Sequence, residues 1–225
     1  MQVIILDIDG TLMDTHYLHV EAWAQAFATV GHHVPRAAIH RQIGKGPQLL
    51  IDDFIQDKVI GKRVDELHGE FFAHMQPQSY PLPDAKELLT TLSARELACW
   101  FATSAKPAEL QYYVEQLEVA ETIAGVVSSQ DVEQAKPAPD LFELTLYGAG
   151  CRSEEWIGVG ETVWDIQAGE RLWASHCGRI DWRRFQPPRT GRSWGRSSLP
   201  GLYRTFGSRI SGKAGYPPHG DYRRT

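Results

Sequence analysis

Apolar and polar positions alternate in blocks along the first 170 residues, and the blocks predict an α/β order. Val3, Ile4, Ile5 and Leu6 form a short β-branched run stopped by Asp7, the pattern of a strand buried on both faces. From Thr15 to Val30 the period changes to that of a helix, with Leu18, Trp23, Phe27 and Val30 on one side and Gly31 as a stop. A second helical piece starts after Pro35. Gly44-Lys45-Gly46-Pro47 interrupts it, and Leu49, Leu50, Phe54 and Ile55 resume the period. Gly61 is expected to separate that helix from one carrying Val64, Leu67, Phe71 and Phe72, and Pro77, Pro81 and Pro83 close the segment.

Beyond these prolines the strand–helix order returns. Asp84 is placed to cap a helix with Leu88, Leu89 and Leu92. Leu97 to Ala102 predicts a second buried strand ending at Thr103-Ser104, and Lys106-Pro107 opens a helix to about Leu117, whose free N–H groups would favour an anion. A short strand near Val126-Val127 follows, then a helix with Leu141, Phe142 and Leu146, and a strand Trp156–Gly160. The order predicts a Rossmann-like doubly wound parallel sheet, formed by 1–14 and 81–170, with an all-helical insertion over 15–80.

Candidate chemistry gathers at the ends of these strands. Asp7 and Asp9 follow the first strand and would share a face if it ran on straight, with Gly10 turning the chain. Alone, the stretch also reads as a strand followed by a polar turn. Thr103, Lys136, Glu161 and Asp165 occupy equivalent places after later strands, where open α/β sheets bind ligands. From the residues themselves, this is an acidic cluster with one Lys and one hydroxyl.

The run Asp7-Ile8-Asp9-Gly10-Thr11 resembles the first motif of the haloacid-dehalogenase superfamily of phosphatases and phosphomutases. Thr103 matches the second motif. Lys136-Pro137-Ala138-Pro139 with Phe142 matches the third, and Gly160-Glu161 with Asp165 the fourth, where Asp is usual in place of Glu161. The resemblance implies a helical cap over 15–80 and an Mg²⁺-dependent phosphatase acting on a small phosphorylated metabolite. It makes Asp7 the nucleophile, Asp9 the general acid and base, and Thr103 and Lys136 the holders of the phosphoryl group. Gly10, Thr11 and Ser104 join them in binding substrate. The metal would sit on Asp7, the Asp9 carbonyl and one of Glu161 or Asp165. Gly44-Lys45-Gly46 reads either as a helix–helix loop with an exposed Lys or as a cap loop meeting an anionic substrate. A phosphomutase would share every core residue. A dehalogenase would not need Asp9.

Composition and charge then separate off the last quarter. The chain of 225 residues has a net charge of −5, yet from Arg171 onward it carries 12 Lys and Arg against 2 Asp and Glu. The resemblance ends near Glu170, the core's last strand and helix are missing from the pattern, and 171–225 predicts a basic, disordered tail. One reading is a nucleic-acid-binding tail on an inactive protein, with Trp and Tyr to stack on bases. The preferred one is a frameshifted C-terminus, in which nucleic acid is not expected as a partner. Shifting by one nucleotide turns Trp173, Trp182 and Trp194 into Gly whatever follows, and Asp181-Trp182-Arg183 can then become Thr-Gly-Gly. The loss would leave Trp156–Gly160 as an exposed edge strand. No run of 18 apolar residues occurs, no basic region precedes the first apolar run, and Cys99, Cys151 and Cys177 show no metal spacing. A cytoplasmic protein is expected, of open oligomeric state.

Overall fold

The computed structural model describes residues 2–151, 156–176 and 204–207. Its frame is a five-stranded sheet of order β3-β2-β1-β4-β5. The strands are β1 Val3–Leu6, β2 Ala98–Thr103, β3 Ile123–Ser128, β4 Trp156–Gly160 and β5 Arg204–Gly207. The first four run parallel, so β1 lies between β2 and β4 and delivers its carboxyl end to the middle of one sheet edge.

Both faces of β1 are buried, as its uninterrupted apolar run requires. Ile4 and Leu6 pack with Leu89, Phe101, Tyr113 and Leu117, from helices α5 (Ala85–Ala94) and α6 (Pro107–Leu117) and strand β2. Val3 and Ile5 pack on the opposite face with Leu141, Phe142, Leu146, Ala168 and Leu172, from α7 (Asp140–Gly148) and α8 (Val163–His176). Between β1 and α5 stand only helices: α1 (His16–Thr29), α2 (Arg36–His40), α3 (Pro47–Asp52), α4 (Lys58–Met75) and one 3₁₀ turn. They enclose their own core, in which Trp23, Phe27, Ile39, Leu50, Ile51, Val64 and Leu67 meet.

Four local expectations are corrected. Gly61 does not separate two helices but lies buried inside α4, where its bare Cα lets Ile51 approach, and Asp57 caps that helix through Val59 and Ile60. Asp84 precedes α5, yet its side chain makes no cap bond, and its φ of 64° puts it in the left-handed region. Helix α8 carries on through Arg171 to His176, past the expected start of a disordered tail. The outer edge of β4 is not open either, because β5 pairs antiparallel with it from Ile157–Gly207 to Gly160–Arg204. Residues 177–203 and 208–225, where the frameshift reading mostly falls, lie outside the described residues.

Candidate active site

Asp7 follows β1 directly. Its N–H is held by the Val159 carbonyl of β4 at 2.9 Å, which aims the side chain out of the sheet end. The carboxylate is buried and accepts from the Lys136 Nζ at 2.7 Å. Lys136 is 1% exposed and makes a second ion pair, also 2.7 Å, with Asp165. The other Asp165 oxygen accepts from the Thr162 N–H and hydroxyl at 3.1 and 2.6 Å, fixing the carboxylate from the opposite side. Burial alone would drive the proton off Lys136. Asp165 and Asp7 outweigh that, and the ammonium is held above its ordinary range.

Asp7 experiences the reverse balance. Burial pushes its carboxyl well up, Lys136 pulls it down, and the nearby Asp165, Glu161 and Asp9 charges raise it again. One oxygen each from Asp7, Glu161 and Asp165 lies within 4.8 Å of the others. Crowded carboxylates with a single buried ammonium are an arrangement that a further cation would relieve, and hard oxygen donors suit Mg²⁺.

Asp9 is bound differently. Its Oδ1 accepts from the Thr15 hydroxyl at 2.7 Å and faces the His19 Nε2 at 3.2 Å. Burial would raise the Asp9 carboxyl, but the His19 charge and the hydrogen bonds lower it below its ordinary value. Burial lowers His19 in turn, and Asp9 more than restores it. The two shifts favour a carboxylate on Asp9 facing a protonated His19. The His19 Nδ1 contacts the His68 Nε2 at 3.1 Å, and His68 stacks on Trp23 with centroids 3.8 Å apart.

His68 is pushed well below its ordinary value, first by burial and then by His19 and Lys106. The sign follows. Below about pH 6.5 the unfolded chain takes a proton at His68 that the folded chain refuses, so stability falls as pH falls, by up to about 1.4 kcal/mol per pH unit. His19 contributes oppositely, with stability present below that pH and lost as pH rises through its raised value. Urea midpoints of the wild type are expected to drop from pH 7 to 5.5, and His68→Asn to flatten that drop. Equal slopes in both proteins would contradict this.

The remaining site residues come together less simply. The Thr103 hydroxyl is fully buried and accepts the Ala105 N–H at 3.0 Å, while the Lys106 N–H goes to Glu109 at 2.9 Å. Two N–H groups just before α6 are thus bound within the chain. Ser104 lines the cleft, and its buried Oγ has no hydrogen-bond partner among the described residues. The cleft, open to solvent, is also lined by Asp7, Asp9, Lys45, Lys106 and Lys136. Thr11 donates to Glu161 at 2.7 Å, and Gly10 lies beneath that side chain.

Lys45 is not an exposed loop residue. Its ammonium pairs with Asp53 at 2.5 Å and sits 4.5 Å over the Trp164 ring, so the loop before α3 reaches the start of α8. Next to it the Gly46 N–H meets the Lys136 carbonyl at 3.3 Å, and a Cβ at Gly46 would stand 2.3 Å from that of Ala135. Gly46→Ala is therefore expected to lift the helical insertion off the Lys136 loop and lower kcat/KM roughly 10- to 100-fold, with an unchanged circular dichroism spectrum. Unaltered kinetics would contradict the docking. His16, His19, His68, Thr15 and Thr162 are site residues that hydrophobic periodicity does not single out. The only signal for the first two was their spacing on the opening turn of α1, directly after the Asp7–Asp9 loop.

A parallel α/β sheet, a helical insertion over its carboxyl edge, and a buried Asp–Lys–Asp chain at the end of its central strand define a hydrolytic enzyme site. Residues 1–172 match the haloacid dehalogenase-like hydrolase family, and the chain belongs to it. It is 26% identical over 180 residues to the phosphoglycolate phosphatase of Photorhabdus laumondii, covering 76% of each chain. The match to the phosphoglycolate phosphatase of Escherichia coli O157:H7, 27% identical, covers 60% of this chain and 53% of that one. A hydrolase from Pseudomonas syringae superposes with a TM-score of 0.72 at 31% identity, over 76% of this chain and 81% of that one.

Proposed function

We propose that the protein hydrolyses small phosphate monoesters, with Mg²⁺, through an aspartyl-phosphate formed on Asp7. One observation carries the reading: the Asp7 carboxylate ends the central strand at a cleft, 2.7 Å from a buried ammonium. A carboxylate oxygen there attacks phosphorus in line, the bond to the leaving oxygen breaks, and that oxygen takes a proton that Asp9 passes on from His19. Water then attacks phosphorus, Asp9 accepts its proton, and the bond from Asp7 breaks to release phosphate.

Lys136 holds a phosphoryl oxygen, and Asp165 with Thr162 keeps Lys136 in place. Thr103 and Ser104 border the same oxygens. Asp7, the Asp9 carbonyl and Glu161 would hold the metal, with Asp165 beside them. When bound, Mg²⁺ screens the carboxylates from the phosphate and stabilises charge on it. Lys45 and Lys106 line the outer cleft, which suits substrates with a second anionic group.

Because two phosphoglycolate phosphatases are among its relatives, phosphoglycolate is the first substrate to try, beside sugar phosphates and an aryl phosphate. Phosphate release that needs Mg²⁺ and stops with a chelator is expected for at least one of them. Release from none, or release indifferent to metal, would overturn the proposal.

A further inference from the structure

We infer that His16 is a positioning residue for Glu161, and that His16, Thr11 and Gly10 together let this chain use Glu at a metal-facing position where the family pattern has Asp. The inference rests on the magnesium reading above.

Glu carries one methylene more than Asp, so from the same backbone its carboxylate overshoots unless it is folded back and held. Here it lies across Gly10. A Cβ at that position would stand 2.7 Å from the Glu161 Oε1 and 2.9 Å from Cδ, and the φ of +75° also favours glycine. Each Glu161 oxygen then has one donor. The Thr11 hydroxyl gives to Oε2 at 2.7 Å, and the His16 Nδ1 gives to Oε1 at 3.1 Å. Two donors on opposite oxygens fix the rotation of the carboxylate, and each oxygen keeps a lone pair for a cation. In this pose Glu161 reaches within 4.8 Å of oxygens on Asp7 and Asp165.

His16 is suited to this and to little else. It opens α1 directly after the Asp7–Asp9 loop, so its place moves with that loop. The His40 ring packs edge-on against it, with centroids 5.0 Å apart. Among the described residues its buried Nε2 has no hydrogen-bond partner, which leaves Glu161 as the polar contact that orients the ring.

Mn²⁺ binding to the full chain, followed by electron paramagnetic resonance of the free ion, tests this without any turnover. Partners of ligating groups typically change metal affinity 10- to 100-fold, so His16→Ala is expected to weaken binding roughly tenfold. His16→Gln, whose amide can still donate, should recover most of that loss. In Glu161→Asp the shorter carboxylate withdraws from His16, so adding His16→Ala should change affinity less than about twofold. Wild-type affinity in His16→Ala, or an equal loss in both backgrounds, would overturn the inference alone. A wild type that takes up neither Mn²⁺ nor Mg²⁺ would overturn it together with the magnesium reading.

Discussion

Asp7→Asn is expected to abolish phosphate release, lowering kcat by at least about 10³-fold, while the protein stays folded. The amide nitrogen cannot attack phosphorus, and the amide oxygen is a far weaker nucleophile than the carboxylate. The fold should survive because Lys136 keeps its 2.7 Å ion pair with Asp165 and because burial already disfavours charge at Asp7. Removing one member of a crowded set of carboxylates relieves repulsion. A thermal midpoint equal to or above the wild type's should therefore accompany the lost activity. Phosphate release above a tenth of the wild-type rate would contradict the role given to Asp7.

The second large effect is expected at Lys136. Lys136→Met keeps much of the side chain's length and apolar volume but leaves Asp7 and Asp165 buried without their counter-charge. Breaking a buried pair from one side typically costs about 3–5 kcal/mol, and two carboxylates depend on this ammonium. The variant should lose activity and unfold at a markedly lower urea concentration. Adding Asp7→Asn should then recover part of the lost stability, since one of the stranded charges disappears. The Asp165 charge is less exposed to the change, because Thr162 still donates to it twice. If Lys136→Met unfolded within about 0.5 kcal/mol of the wild type, Lys136 would be no more than a surface-like residue and the electrostatic account would fail.

These effects trace back to a few stretches whose meaning was legible in the sequence. Val3–Leu6 could only be a strand buried on both sides, and the structure places it second to none in centrality, between β2 and β4. The Asp7–Asp9 loop and the Lys136 loop are brought together because parallel strands put all their carboxyl ends on one edge, which strand order alone implies. What was not legible depends on packing across elements. Gly61 looked like a break because glycine weakens helices in isolation, whereas here Ile51 fills the space its side chain would need. Lys45 read either as exposed or as facing a substrate, because nothing in its neighbourhood foretells Trp164, more than a hundred residues away.

The histidines show the same limit more sharply. His19 and His68 lie on α1 and α4, and only the pairing of those helices brings their ring nitrogens to 3.1 Å. A His on an apolar helix face carries no sign of what it will meet. The partner of β4 was equally hidden. The segment Arg204–Gly207 is four residues long, lies in an Arg- and Gly-rich stretch, and has no period-2 pattern to announce a strand.

The claim at the centre is a phosphoryl group carried on Asp7, and it can be observed. In Asp9→Asn the residue that would take the proton of the attacking water is gone, while His19 still offers a proton to the leaving oxygen, so the intermediate should accumulate. The full chain in that form is mixed with Mg²⁺ and whichever phosphate ester the wild type turns over, quenched in acid, digested, and its Asp7 peptide read by tandem mass spectrometry. One phosphoryl group is expected, located on Asp7 and removed by hydroxylamine as an acyl phosphate is. An unmodified Asp7 peptide while the same sample releases phosphate, or a phosphoryl group on another residue, would contradict it.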